Sequence, residues 1–188
     1  MASISPIANL SSFLFFFLFL FVFFSCSSTY AYSTTIREPN NLPKEKMTHL
    51  HFFFHEIMAG PNATGAAVVM PPNEGSPFGG IGIVDDMIRE GPETDSKLIG
   101  KCQGITFIAN MEELEFTTLL NFVLIDGEFA GSSLQVFGKA RLGTIIERPV
   151  IGGTGEFRMA RGYTISKMVA TTAPELLILE YDVYVWHY

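Results

Sequence analysis

Pro149-Val150-Ile151-Gly152-Gly153-Thr154-Gly155-Glu156-Phe157-Arg158-Met159-Ala160-Arg161-Gly162-Tyr163 joins a knot of glycines to an alternating segment. Three glycines within four residues permit positive φ and close backbone approach, so the first part reads as a tight turn or bulge. Beyond it, Phe157, Met159 and Arg161 fall on one face of a period-2 pattern, and Glu156, Arg158 and Ala160 on the other. That pattern predicts a strand with two unlike faces. No Gly-Lys-Ser/Thr follows, and a strand rather than a helix comes next, so the glycines do not form a phosphate loop.

Working outward, turn signals cut the chain from His49 onward into short apolar segments. They run Leu50 to Met58, Ala66 to Met70, Ile81 to Asp86, Gly104 to Ala109, Glu115 to Ile125, Ser133 to Phe137, Gly143 to Glu147, Glu156 to Lys167 and Leu176 to Tyr188. Gly60-Pro61-Asn62, Pro71-Pro72-Asn73 and the hairpin signal Asp126-Gly127 are among the separators. No stretch keeps a helical period over three turns. The count of eight or nine strands predicts an all-β domain, enough strands to close a barrel and remove its edges.

The first 31 residues stand apart. Phe13 to Phe24 is an unbroken apolar run, too short for a membrane span of about 20 residues and of the right length for a signal-peptide core. Thr29 and Ala31 supply the small residues for cleavage after Ala31. The expected organisation is a signal peptide over residues 1–31, a flexible polar arm over 32–47 and one domain over 48–188. A net charge of −7 argues against nucleic-acid or anionic-membrane partners. With Cys26 in the leader, Cys102 has no partner for an internal disulfide. The four histidines show no metal-ligand spacing, and no metal or cofactor is called for. His49 and His51 alternate along a strand and share a face, which reads as surface chemistry.

Taken in order, the motifs resemble one family, the plant dirigent proteins. The resemblance rests on Phe52-Phe53-Phe54-His55-Glu56-Ile57, Asn62-Ala63-Thr64, Phe78-Gly79, Ile83-Val84-Asp85-Asp86, Gly91-Pro92, Ser96 to Gly100 and Gln103-Gly104. It continues through Asn121-Phe122-Val123, Gly131 to Leu134, the glycine segment and Glu180-Tyr181-Asp182-Val183-Tyr184. It implies an eight-stranded antiparallel β-barrel, usually a homo-oligomeric trimer, secreted to the apoplast. Members bind phenoxy radicals or quinone methides, with a separate oxidase (laccase or peroxidase) supplying the radical, and set the stereochemistry of coupling or ring closure. A phenolic small molecule is therefore the expected ligand. Such a role asks for an apolar cavity and a few orienting polar groups rather than a nucleophile or redox centre.

Glu56 is the first catalytic candidate. It shares a strand face with Phe54, Phe52 and Leu50, and either ends an inward apolar row or sits at the rim. At the end of such a row its pKa would rise and it could exchange a proton with a phenol or quinone methide. Family members acting on lignol radicals usually carry Asp there. Phe54, Thr106 and Ile108 are expected to line the cavity. Arg161, in phase with Phe157 and Tyr163, is expected to reach the interior and pair with a carboxylate. The family's arginine ahead of the glycine segment falls near Ile146, beside Glu147 and Arg148, with the register open by one residue. Its tyrosine-rich segment and its Gly-Ala-Asp are here Ile105 to Ile108 and Gly138-Lys139-Ala140. Asp85 and Asp86 point to opposite faces and read as caps of a strand-to-loop turn. Asn62-Ala63-Thr64 is a glycosylation acceptor at Asn62. Three functions stay open: a radical-guiding protein without oxidative activity of its own, a dehydratase or cyclase acting through a quinone methide, and a cell-wall binding module.

Overall fold

A computed structural model describes residues 44–171 and 173–188. The expected signal peptide and nearly all of the arm lie outside the described residues. Nine strands follow in chain order: β1 (Lys46–Ile57), β2 (Gly65–Val69), β3 (Ile81–Arg89), β4 (Leu98–Ile108), β5 (Phe116–Leu124), β6 (Ser133–Ala140), β7 (Ile146–Thr154), β8 (Arg161–Val169) and β9 (Leu176–His187). All pairings are antiparallel, and the sheet runs β1-β9-β8-β7-β6-β5-β4-β3-β2. Phe53, Phe54 and His55 of β1 pair with Arg89, Ile88 and Met87 of β3, which closes eight strands into a barrel. Above that short seam β1 and β3 part, and β2 covers the first half of β3 instead.

Alternation fixes what fills the barrel. The inward row of β1 places Phe52 and Phe54 in the core, where Phe52 meets Tyr181 of β9 and Phe122 of β5 with ring centroids 5.4 Å apart in each case, and Phe122 meets Tyr181 at 5.3 Å. This three-ring layer belongs to the buried core of the barrel, where each aromatic ring takes a large apolar area out of water. One end is plugged by Phe157, Phe129 and His187, whose ring nitrogens bond Thr48 Oγ1 and the Glu156 carbonyl at 2.8 Å each.

The glycine segment does end in a tight turn, but the alternation expected beyond it is broken. Gly155–Phe157 forms a single 3₁₀ turn, and Met159 has φ = 63°. That left-handed residue rotates the chain, so Phe157 and Ala160 are buried while Met159 is 77% exposed. β8 starts only at Arg161, on the outer surface. A Cβ added at Gly153 would lie 2.6 Å from Phe157 Cβ, so the turn requires glycine there. Gly153→Ala is expected to cost about 2 kcal/mol or more through overpacking, read as a lowered melting temperature.

Asp85 and Asp86 face opposite ways as alternation requires, yet both lie inside β3 and neither caps a turn. Asp85 is exposed beside Lys101, 3.5 Å away, whereas Asp86 is fully buried. His49 and His51 share the outer face, each meeting a β9 carboxylate: Asp182 at 2.7 Å and Glu180 at 3.0 Å. Cys102 is a buried free thiol.

Candidate functional site

Beyond the Phe52–Phe122–Tyr181 layer, at the end away from the plug, the inward positions carry small side chains. Thr106 of β4, Thr118 of β5 and Ala140 of β6 leave a cavity of about 150 Å³ where larger residues would have met. Its walls are otherwise apolar, from Phe54, Val84, Phe116, Leu120, Leu177 and Leu179, with Met58 and Leu142 also lining it. A cavity of this size holds one benzene-sized ring.

Few polar groups reach that space. Glu56 is one: the last inward residue of β1, it lines the cavity, half-buried, and loss of solvent pushes its carboxyl above the usual range. It rests against the turn entering β2, where a Cβ at Gly65 would lie 3.0 Å from Glu56 Oε1. Arg148 of β7 is the second, with only 1% of its surface exposed. Its Nη1 donates to Thr118 Oγ1 at 2.6 Å and its Nη2 to the Tyr181 hydroxyl, while Nε has no partner. Both acceptors are neutral. No carboxylate among the described residues forms an ion pair with Arg148. A buried, uncompensated cation is costly for the fold alone and favours an anionic or electron-rich oxygen in the adjoining cavity. Glu56 and Arg148 sit three strands apart in the eight-strand ring, on opposing walls.

The structure thus places Phe54, Glu56 and Thr106 around one cavity and leaves Ile108 out of its lining. It also moves the arginine. Arg161 lies outside, its guanidinium forking onto Glu45, with Nη2 to Oε2 at 2.9 Å. The Met159 reversal resets the phase on which its inward placement depended, and Arg148 is the interior arginine instead. Asn62 is exposed in the turn after β1. Asp86, not singled out as a site residue from sequence, lies buried on the inward row of β3 between the cavity-lining Val84 and the core residue Ile88. Among the described residues, no three of His, Cys, Asp and Glu are grouped to hold a metal.

The family model described as dirigent-like protein matches residues 47–186. Dirigent protein 1 of Arabidopsis thaliana is 40% identical over 164 residues, covering 85% of this chain and 89% of the relative. Pterocarpan synthase 1 of Glycyrrhiza echinata is 38% identical, covering 77% and 80% respectively. Among solved structures, the pterocarpan synthase dirigent protein GePTS1 matches with a TM-score of 0.72 at 38% identity, over 79% of this chain and 88% of that one.

Proposed function

Because this chain belongs to the dirigent-like protein family, we propose that it binds a phenoxy radical or a related phenylpropanoid intermediate in the barrel cavity and sets the stereochemistry of its coupling. A separate laccase or peroxidase supplies the radical. The observation that carries this reading is the unpaired Arg148 facing an apolar cavity of one ring's volume. Arg148 and Tyr181 receive the phenolic oxygen, and the aliphatic and aromatic walls hold the ring so that one face remains open to attack. No group of the protein needs to change oxidation state.

Glu56 favours a second reading, a dehydratase or cyclase working on a closed-shell substrate. A carboxyl with a raised pKa opposite a guanidinium suits protonation of a leaving hydroxyl while Arg148 stabilises the charge on the phenolic oxygen of a quinone methide. Likeness to pterocarpan synthases at 36–38% identity fits this chemistry equally well. Coniferyl alcohol supplied with and without a laccase tests the pair. Stereochemical excess that appears only with oxidant supports the guide. Turnover of a closed-shell benzylic alcohol without oxidant supports the cyclase, and neither outcome would remove both.

The proposed setting is the apoplast, reached through the leader, with a glycan on the exposed Asn62. Assembly is proposed through the outer face of β3–β6. There Ile83, Ile105, Leu119 and Phe137 stand side by side in register, all exposed, as an apolar belt. A belt of this kind on an otherwise acidic chain marks an interface, and a second copy is its natural occupant. The pair Leu119→Asp and Phe137→Asp is expected to convert the proposed trimer to monomers in light scattering. A wild-type monomer at micromolar concentration would contradict the assembly.

A further inference from the structure

We infer that Asp86 is a positioning residue for Glu56: a buried acid on the inward row of β3, next below the cavity-lining Val84, that clamps the turn against which the Glu56 carboxyl rests. The inference takes Glu56 as the proton-exchanging group of the cavity, as in the second reading above.

The clamp lies where β1 and β3 part company. Thr64 stitches the two together there. Its N–H donates to the Ile57 carbonyl at 2.9 Å, its carbonyl accepts from the Asp85 N–H at 2.9 Å, and its hydroxyl oxygen accepts from the Ile57 N–H at 2.9 Å. The hydroxyl hydrogen is then given to Asp86 Oδ1. Gly65 follows at once and forms the seat of Glu56 Oε1. One chain of bonds therefore runs from Asp86 through Thr64 to both the end of β1 and the Gly65 backbone.

Asp86 is built for the neutral state. Its side chain has no solvent exposure, and Oδ2 has no partner. Of the groups around it, Glu56 on β1 and Asp85 on β3 are like-charged. Lys101 on β4 is turned to Asp85 on the outer surface, and Cys102, opposite Asp86 on β4, is a buried thiol whose pKa is also pushed up. Arg148 reaches this neighbourhood only through its field on Cys102. Burial, aided by Glu56, pushes Asp86 up to about 8. The folded value exceeds the unfolded one, so the neutral form's contribution to stability is complete below the ordinary Asp range and is lost as pH rises through about 8. Above that, a bare charge inside the barrel draws in water or parts the seam, and the Glu56 seat goes with it.

The test follows the Glu56 carboxyl carbon by NMR in protein carrying labelled glutamate, with the signal assigned by Glu56→Gln. In wild type it should show two inflections, the second near pH 8 as Asp86 ionises. Asp86→Asn, which keeps an acceptor for Thr64, should show only the first. Thr64→Val, made alongside Asn62→Gln so that glycan loss is matched, should move the second inflection upward, because the Thr64 bond is what lowers the Asp86 pKa. In parallel, binding of coniferyl alcohol should weaken by about tenfold or more between about pH 6 and about pH 9 in wild type, and far less in Asp86→Asn. A single Glu56 inflection in wild type, or two in Asp86→Asn, overturns the inference. Absence of coniferyl alcohol binding at every pH would count against the ligand reading, while the NMR titration still decides the role of Asp86.

Discussion

Arg148→Met is expected to abolish stereocontrol and phenol binding while leaving the barrel at least nearly as stable as wild type. Removing one preorganised donor to a developing oxyanion lowers rates by about 10²–10³. Stability should move the other way or hardly at all. A buried cation without a counter-charge is replaced by an apolar side chain of similar length, a change that is often neutral or stabilising by about 1–4 kcal/mol. Against this stand the Thr118 and Tyr181 hydroxyls, which lose a partner at about 1 kcal/mol each. The checks are thermal melting and chiral analysis of products on the same preparation. A variant that unfolds yet leaves selectivity in its surviving fraction untouched would make Arg148 structural.

Glu56→Gln is the second large effect. Size and one acceptor are kept and the exchangeable proton is lost, so product formation or stereoselectivity should drop by about 10²-fold or more. Glu56→Asp should retain part of the function, since it restores a carboxylate one methylene shorter. Burial raises the Glu56 pKa in the fold, so its neutral form contributes stability at acid pH that is lost as pH rises through the folded value. Glu56→Gln is therefore expected to melt about as high as wild type in acid, where Glu56 is neutral too, and at least as high or higher near neutrality, where wild type carries the buried charge. Wild-type rate and stereochemical excess in Glu56→Gln would reduce Glu56 to a rim residue.

Much of the barrel was legible because two physical signals agree along the chain. Period-2 alternation in segments such as Leu50 to Met58 marks one face for burial, and Gly, Pro and Asn-rich turns mark where each strand stops. Alternation put Phe52, Phe54 and Glu56 on one face but left Glu56 either ending an inward row or at the rim, and it took the structure to place Phe54 and Glu56 in the cavity lining. The arginines were harder. Arg161 seemed inward because the glycine segment was read as passing straight into a strand, but a left-handed Met159 intervenes, and positive φ at a non-glycine residue leaves little trace in sequence. Arg148 was visible only as a register open by one residue. β6 and β7 shift register between Gln135 and Val136, and such a bulge decides which of two neighbours faces in. Asp86 was hidden for a different reason. β3 continues to Arg89, beyond the Asp86 at which the apolar run appeared to stop, so a mid-strand buried acid looked like a turn cap.

Those corrections concentrate the chemistry of the cavity in a single acid and a single cation. The family's second carboxylate position carries Ala140, which lines the cavity as a small apolar residue. With Glu56 as the acid of the cavity, the proposed chemistry would move one proton at a time at a ring whose oxygen Arg148 would hold. Both proposed functions share that arrangement of the ring.

The most direct measurement is a crystal structure with a stable methoxyphenol soaked to saturation. The account predicts one ring inside the barrel among Phe54, Phe116 and Leu179, its oxygen within hydrogen-bonding distance of Arg148 and its far edge toward Glu56. A ring bound only on the outer surface, or a cavity left empty at saturation, would contradict it.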